Sequence, residues 1–142
     1  MFALHTQLAK DCVTIGDLPL SRVLLMNDAQ YPWLVLVPRR EEIVELFELP
    51  RIDQQQLLDE VAQVSAALAG HFRADKMNIA ALGNIVPQLH VHIVVRYCED
   101  AAWPKPVWGI RPVQPYGDEA LRERIAELEE LLASAGLQSA IR

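Results

Sequence analysis

Cysteine is scarce in this sequence. Cys12 and Cys98 are its only two, and they stand too far apart for a metal-binding or redox motif. Both read as reduced thiols, which fits a cytoplasmic protein. Long apolar runs are missing as well. None approaches the roughly 18 residues that cross a bilayer, so no membrane partner is expected. The first residues, Met1-Phe2-Ala3-Leu4-His5, lack a basic stretch followed by an apolar one, so no signal peptide is expected. Positive charge is in deficit: 13 Lys and Arg against 19 Asp and Glu leave a net charge of −6. That argues against a long nucleic acid as partner, because such affinity rests on neutralising many phosphates. A small phosphorylated ligand needs only local donors and stays open. No internal repeat is visible.

What remains is ordinary globular protein. The composition is 51% hydrophobic and 23% charged over 142 residues, enough for one domain, 1–142, with a real core. Residues 2–10 fit a short helix. Residues 13–26 hold two apolar runs broken by Gly16-Asp17 and Pro19, which reads as a hairpin. A turn at 27–32 leads to Trp33-Leu34-Val35-Leu36-Val37, a continuous apolar run ended by Pro38, as in a strand buried on both faces. Residues 39–50 connect, with one helical turn at most.

A long helix follows. Asp53 fits as its N-cap with Gln56 three residues on, and Leu57, Leu58, Val61, Val64, Leu68 and Phe72 recur at helical spacing. A strand is expected at 77–82, then a connection at 83–87 and a strand at 88–97. Residues 99–117 carry Pro104, Pro106, Pro112, Pro115, Trp103 and Trp108 and read as an extended arm. Asp118 fits as the cap of a last helix, 118–135, bearing Leu121, Ile125, Leu128, Leu131 and Leu132 and closed by Gly136. The order gives an α+β fold: a five-stranded antiparallel sheet, one long central helix and a C-terminal helix, with the core at about 12–97.

The most informative stretch is 88–97. Gln88, His90, His92, Val94 and Arg96 share one parity; Leu89, Val91, Ile93, Val95 and Tyr97 share the other. A strand of period 2 would bury the second set and make a polar face of the first, with the two imidazoles roughly 7 Å apart along it. Arg96 lies about 13 Å beyond His92 by strand rise, so a rim or structural role suits it. Arg39 and Arg40 read as solvent-facing at a strand end.

Three chemistries compete for the histidine pair. The two rings can be structural. They can chelate a metal, since imidazole suits zinc, copper and iron, but a site needs a third ligand. His5 and His71 fall in expected helices, and no His-Glu-x-x-His or Cys-x-x-Cys motif is present, so no metal site and no cofactor is assigned. The third chemistry is nucleophilic attack on phosphorus. Imidazole ordinarily titrates near about 6.5, so its neutral ring is a competent nucleophile at neutral pH. A second imidazole can steady the phosphoryl oxygens or serve the leaving group. Asn84, Gln88 and the backbone after Gly83 can supply neutral donors.

The segment Gly83-Asn84-Ile85-Val86-Pro87-Gln88-Leu89-His90-Val91-His92-Ile93-Val94-Val95-Arg96 resembles the signature of the histidine triad (HIT) superfamily, Gly-Gln-x-Val-x-His-x-His-x-His. Leu24-Leu25-Met26-Asn27 and Trp33-Leu34-Val35-Leu36-Val37-Pro38-Arg39 resemble the same family's nucleotide-binding strands, and Trp103-Pro104 resembles a pair near the C-terminus of its phosphoramidase branch. The resemblance runs over about 12–97. It implies an antiparallel α+β domain, often a homodimer, that acts on a nucleotide or dinucleotide at the α-phosphate through a covalent nucleotidyl-histidine. Dinucleoside polyphosphates and nucleoside phosphoramidates are the substrate classes it points to.

By the resemblance the nucleophile falls on His90, the third triad histidine on His92, the phosphate-contacting amide on Asn84 beside Gly83, and a ribose-holding residue on Asn27. The chain departs from the pattern twice. Gln88 replaces the first triad histidine and cannot carry a charge. Trp33 replaces a histidine that many members have just before the central strand, which changes the pocket or removes a supporting hydrogen bond. The rival functions are a non-catalytic nucleotide-binding protein and a metal-binding protein using His90 and His92.

Overall fold

The computed structural model describes residues 1–140. The chain runs α1 (Thr6–Asp11), β1 (Cys12–Asp17), β2 (Ser21–Met26), β3 (Trp33–Pro38), a 3-10 turn (Leu46–Glu48), α2 (Arg51–Phe72), β4 (Lys76–Ala80), β5 (Val91–Arg96), α3 (Asp118–Leu132) and β6 (Gln138–Ser139). The strands form one antiparallel sheet in the order β4-β5-β3-β2-β1-β6. The α+β class holds.

The sheet has six strands where five are expected. The added strand, β6, has only two residues, too few to give a periodic signal. Gly136, at φ +91, turns the chain after α3. β6 then lies against Gly16, where a Cβ would come within 2.4 Å of the Gln138 carbonyl oxygen. Gly16 thus belongs inside β1, at a register shift against β2, and not in the hairpin turn.

Period 2 sorts the sheet into two cores. Leu25, Leu34, Leu36, Val91, Ile93 and Val95 face α2 and α3, packing on Leu57, Val61, Val64, Leu68, Leu128 and Leu132. Leu24, Trp33, Val35, Val37 and Val94 face the other way, toward Leu8 of α1 and Ala102 and Val107 of the arm. Val64 and Leu68 are fully buried, each worth about 1.5–3 kcal/mol of apolar transfer. Glu60 of α2, also buried, accepts hydrogen bonds from the backbone N–H groups of Leu20 (2.7 Å) and Ser21 (3.0 Å), clipping the β1–β2 turn to the helix.

Both helix caps differ from expectation. α2 begins at Arg51 with Pro50 as N-cap, because the Asp53 carboxylate is taken by the Arg40 guanidinium at 2.7 and 3.0 Å. Arg40 is therefore paired, and Arg39 donates to the carbonyls of Leu18 and Pro19. α3 is capped by Gly117, and Asp118 sits in its first turn, favourably placed against the helix dipole.

Arg96 closes the second layer. It is 1% exposed. Its guanidinium donates to Asp100 at 2.8 and 3.0 Å, to Asn78 Oδ1 at 2.7 Å and to the Lys105 carbonyl at 2.8 Å. The rings of Tyr31 and Trp103 lie 5.9 and 5.6 Å from its central carbon. Burial alone would raise the Asp100 carboxyl, but hydrogen bonds from Arg96 and the Tyr97 and Trp103 backbone outweigh it and hold it below the usual carboxylate range. Stability from that carboxylate is complete above the ordinary aspartate value of about 3.9 and is lost as pH falls through the lower folded value. Asp100→Ala strands a buried guanidinium. Urea denaturation is expected to show a loss of about 3–5 kcal/mol, with a shallower decline in acid than the parent protein has.

Candidate active site

His90 lies one residue before β5 and His92 lies within it, both facing the second core. The face is not open to solvent. α1 and the arm cover it, and each histidine is 5% exposed. His92 stands opposite Val35 of β3 and Ala80 of β4. The ring centroids are 4.9 Å apart and nearly perpendicular. Because β5 begins at Val91, Gln88 and His90 stand outside it, and within the strand both faces are buried where one polar face is expected.

A cavity of about 650 Å³ opens beside the rings. α1 contributes Gln7, Leu8, Lys10 and Asp11 to its wall; Met26 and Asn27 come from the end of β2 and the turn after it. The loop 82–86 brings Gly83 and Asn84, and the arm brings Trp108, Val113 and Pro115. Five of the six expected site residues, His90, His92, Asn27, Asn84 and Gly83, therefore border one cavity. A second cavity of about 460 Å³, lined by Leu58, Val61, Ile79 and Leu89 among others, borders α2 and β4 and includes neither histidine.

Hydrogen bonds define the imidazoles. His90 Nδ1 lies 2.6 Å from the carbonyl oxygen of Gln88, which can only accept, so Nδ1 carries the proton and Nε2 keeps its lone pair in the neutral ring. His92 Nδ1 accepts from Trp33 Nε1 at 3.0 Å. Trp33 thus adds a hydrogen bond to His92 at the position where a supporting one was in doubt. Burial, and then the neighbouring His90, push the His92 pKa down to about 3.

The amide of Gln88 turns away from the pair. Its Oε1 accepts from the His5 backbone N–H at 2.8 Å, and its Nε2 donates to the Ala3 carbonyl at 2.9 Å. It is not in the cavity wall. It pairs like a strand with residues 3 and 5, while its own carbonyl orients His90. His5 in turn caps α1, its Nδ1 accepting from Gln7 N. Gln88 therefore holds both the nucleophile candidate and the helix that walls the cavity. Asn27 Oδ1 accepts from the Tyr116 backbone N–H at 3.0 Å, fixing the arm to the rim. Asn84 is exposed on its loop, with no hydrogen-bond partner for its amide among the described residues.

Three contributors had no site role assigned from the sequence. Trp108 packs 5.0 Å from His92 and 5.7 Å from Trp33, ring to ring. Its signal was a tryptophan in a proline-rich arm, which does not say what it covers. Lys10 and Asp11 stand on a six-residue helix with one buried residue, too short for periodicity. Among the described residues no group of three or more His, Cys, Asp or Glu side chains could hold a metal ion. His71 instead pairs with Glu127 at 2.8 Å, between α2 and α3.

The HIT domain family matches residues 7–99 of this chain. Among solved structures, a histidine triad protein from Marinobacter aquaeolei is 50% identical, covering 94% of this chain and 98% of its own, with a TM-score of 0.92. One from Bradyrhizobium japonicum is 50% identical, covering 91% and 96%, with a TM-score of 0.88. One from Sinorhizobium meliloti is 45% identical, covering 93% and 98%, with a TM-score of 0.90. No curated protein matches the sequence.

Gln88→Ala removes the two side-chain bonds to residues 3 and 5 but leaves the Gln88 carbonyl on His90. Each such bond is worth about 0.5–1.5 kcal/mol net. Amide exchange in the α1 region is expected to quicken by about 5- to 150-fold, with exchange in β3 and β5 unchanged. Unaltered exchange there would contradict the anchoring role.

Proposed function

The chain belongs to the HIT domain family, and on that premise we propose that it is a nucleotide hydrolase or nucleotidyl transferase working through a covalent nucleotidyl-histidine on His90. The observation that carries this reading is the bond from His90 Nδ1 to the Gln88 carbonyl, which leaves Nε2 unprotonated beside the cavity. Nε2 forms a bond to the α-phosphorus as the bond to the leaving group breaks, and the leaving group takes the electron pair. The ring becomes cationic, and the Gln88 carbonyl steadies it through Nδ1–H. Water then attacks phosphorus, the P–N bond breaks back onto Nε2, and the water proton leaves to solvent. An acceptor hydroxyl in place of water makes the same step a transfer. Water is the simplest acceptor, so hydrolysis is the preferred form, with dinucleoside polyphosphates and nucleoside phosphoramidates as the substrate classes.

The other groups take roles around that attack. His92 faces the phosphoryl group. Asn84 and the Gly83 backbone offer neutral donors at the mouth, and Asn27 stands at the rim for the ribose. Gln88 acts as a positioning residue, since its side chain is committed to the N-terminal segment. The proposed chemistry involves no metal.

Rapid quench of a slow nucleotide substrate followed by mass spectrometry at neutral or alkaline pH is expected to find the nucleotidyl adduct on His90. His90→Ala should abolish the adduct and keep nucleotide binding. Binding with neither adduct nor turnover in the parent protein would favour the non-catalytic reading, and an adduct on another residue would end this mechanism.

We also propose a homodimer. The arm offers little to an interface, because Trp108 packs on Trp33 and His92 and Trp103 lies by Arg96. The better surface is α2 with β4, where Ile52, Leu58 and Ile79 are 77%, 67% and 51% exposed. β4 is also an edge of the sheet. An exposed apolar patch beside an open strand edge favours self-association. Sedimentation should give a dimer at micromolar concentration, and Leu58→Glu with Ile79→Glu should give a monomer. A monomeric parent protein would rule the dimer out.

A further inference from the structure

Trp33 is buried at the start of β3, and its indole N–H meets His92 Nδ1 at 3.0 Å. An indole nitrogen donates and never accepts. His92 Nδ1 must therefore hold a lone pair, and in the neutral ring the proton sits on Nε2. We propose that Trp33 is a positioning residue that locks His92 as the Nε2–H tautomer, making it a fixed neutral donor to the phosphoryl group and not an acid that cycles a proton. Its use rests on the nucleotidyl-histidine reading; the tautomer itself does not.

The surroundings support the lock. A second proton on His92 would have to sit on Nδ1, facing another donor at hydrogen-bond distance in a buried setting. Two proton donors opposed there leave both unsatisfied, a costly arrangement. The elements packed against His92 offer little to offset that. β3 presents Trp33 and Val35, β4 presents Ala80, and the arm presents Trp108. The charged and titratable groups bordering the cavity are His90, a second ring that repels a cation, and Lys10 and Asp11 of α1, of opposite sign, while Cys12, Tyr31 and Arg96, the last paired with Asp100, belong to the same layer. Among the described residues no carboxylate hydrogen-bonds His92. The low pKa of His92 agrees with this geometry.

The lock bears on substrate class. A neutral donor steadies charge on a phosphoryl oxygen but does not hand its proton to the leaving group. A phosphate chain departs as a stable anion without one, whereas an amine leaving a phosphoramidate needs one. The site is thereby tuned to nucleoside phosphoanhydrides with a di- or polyphosphate leaving group.

The test begins with the intact protein and needs no substrate. Long-range proton–nitrogen correlation of the imidazoles is expected to show His92 with bare Nδ1 and protonated Nε2, unchanged between pH 5 and 8. Titration of His92 in that range, or an Nδ1–H tautomer, would overturn the proposal. Trp33→Phe keeps an aromatic ring and removes the N–H. In that variant the second tautomer should appear, kcat on a dinucleoside polyphosphate should fall about 10- to 100-fold with KM little changed, and a new ionisation should enter the pH profile. Thermal unfolding checks that the variant is folded. If it is not, the tautomer of the parent protein decides alone. A locked tautomer with phosphoramidates turned over faster than anhydrides would overturn the neutral-donor role. Absence of any turnover with the tautomer locked would count against the enzymatic reading, leaving the role of Trp33 toward His92 in place.

Discussion

The buried guanidinium of Arg96 is the constraint on which the histidine face depends. A charge taken out of water needs every donor matched, and this one is met by Asp100, Asn78 and the Lys105 carbonyl. Those partners come from β4, from the start of the arm and from a point five residues further along it. Their joint demand pins the arm across β5. With the arm in place, Trp108 reaches His92, and Val113 and Pro115 close one side of the cavity. Desolvation of the imidazoles follows from this coverage. The low pKa of His92 reflects this burial first and the neighbouring His90 second.

Periodicity made most of the fold legible. The alternation over 88–97 correctly divided β5 between two faces, and the apolar run 33–37 correctly marked a strand buried on both, since β3 contributes to each core. α2 and α3 followed from helical spacing. Long-range partners were not legible. Asp53 fits an N-cap by local rules, yet Arg40 captures its carboxylate. β6 exists because Gly16 lets a two-residue strand approach, a relation across more than a hundred residues.

The site shows the same division. That His90 and His92 share a face was readable from their spacing. Which nitrogen of each carries the proton was not, because it is set by a backbone carbonyl in one case and an indole from β3 in the other. Gln88 is the sharpest instance. Its parity placed it beside the histidines, but the strand starts three residues later and its amide is claimed by residues 3 and 5, more than eighty positions away. Sequence spacing gives the direction of a side chain within an element; competition from the rest of the chain decides what it touches.

Gln88 and Trp33 acquire physical meaning together. At position 88 a side chain that cannot ionise pairs with backbone, a task suited to an amide, which offers one donor and one acceptor like a peptide group. At position 33 a donor-only ring faces an imidazole nitrogen and leaves it no choice of tautomer. Neither residue moves a proton. Both place fixed dipoles in a water-poor site, where a prealigned dipole needs no reorganisation as charge develops. In the proposed mechanism the chemistry then rests on His90 as nucleophile, whose carbonyl partner is suited to the cationic ring formed on attack. Under the proposed mechanism such a site relies on the leaving group's own stability, which would tie the identity of a buried tryptophan to the class of phosphorus bond broken there.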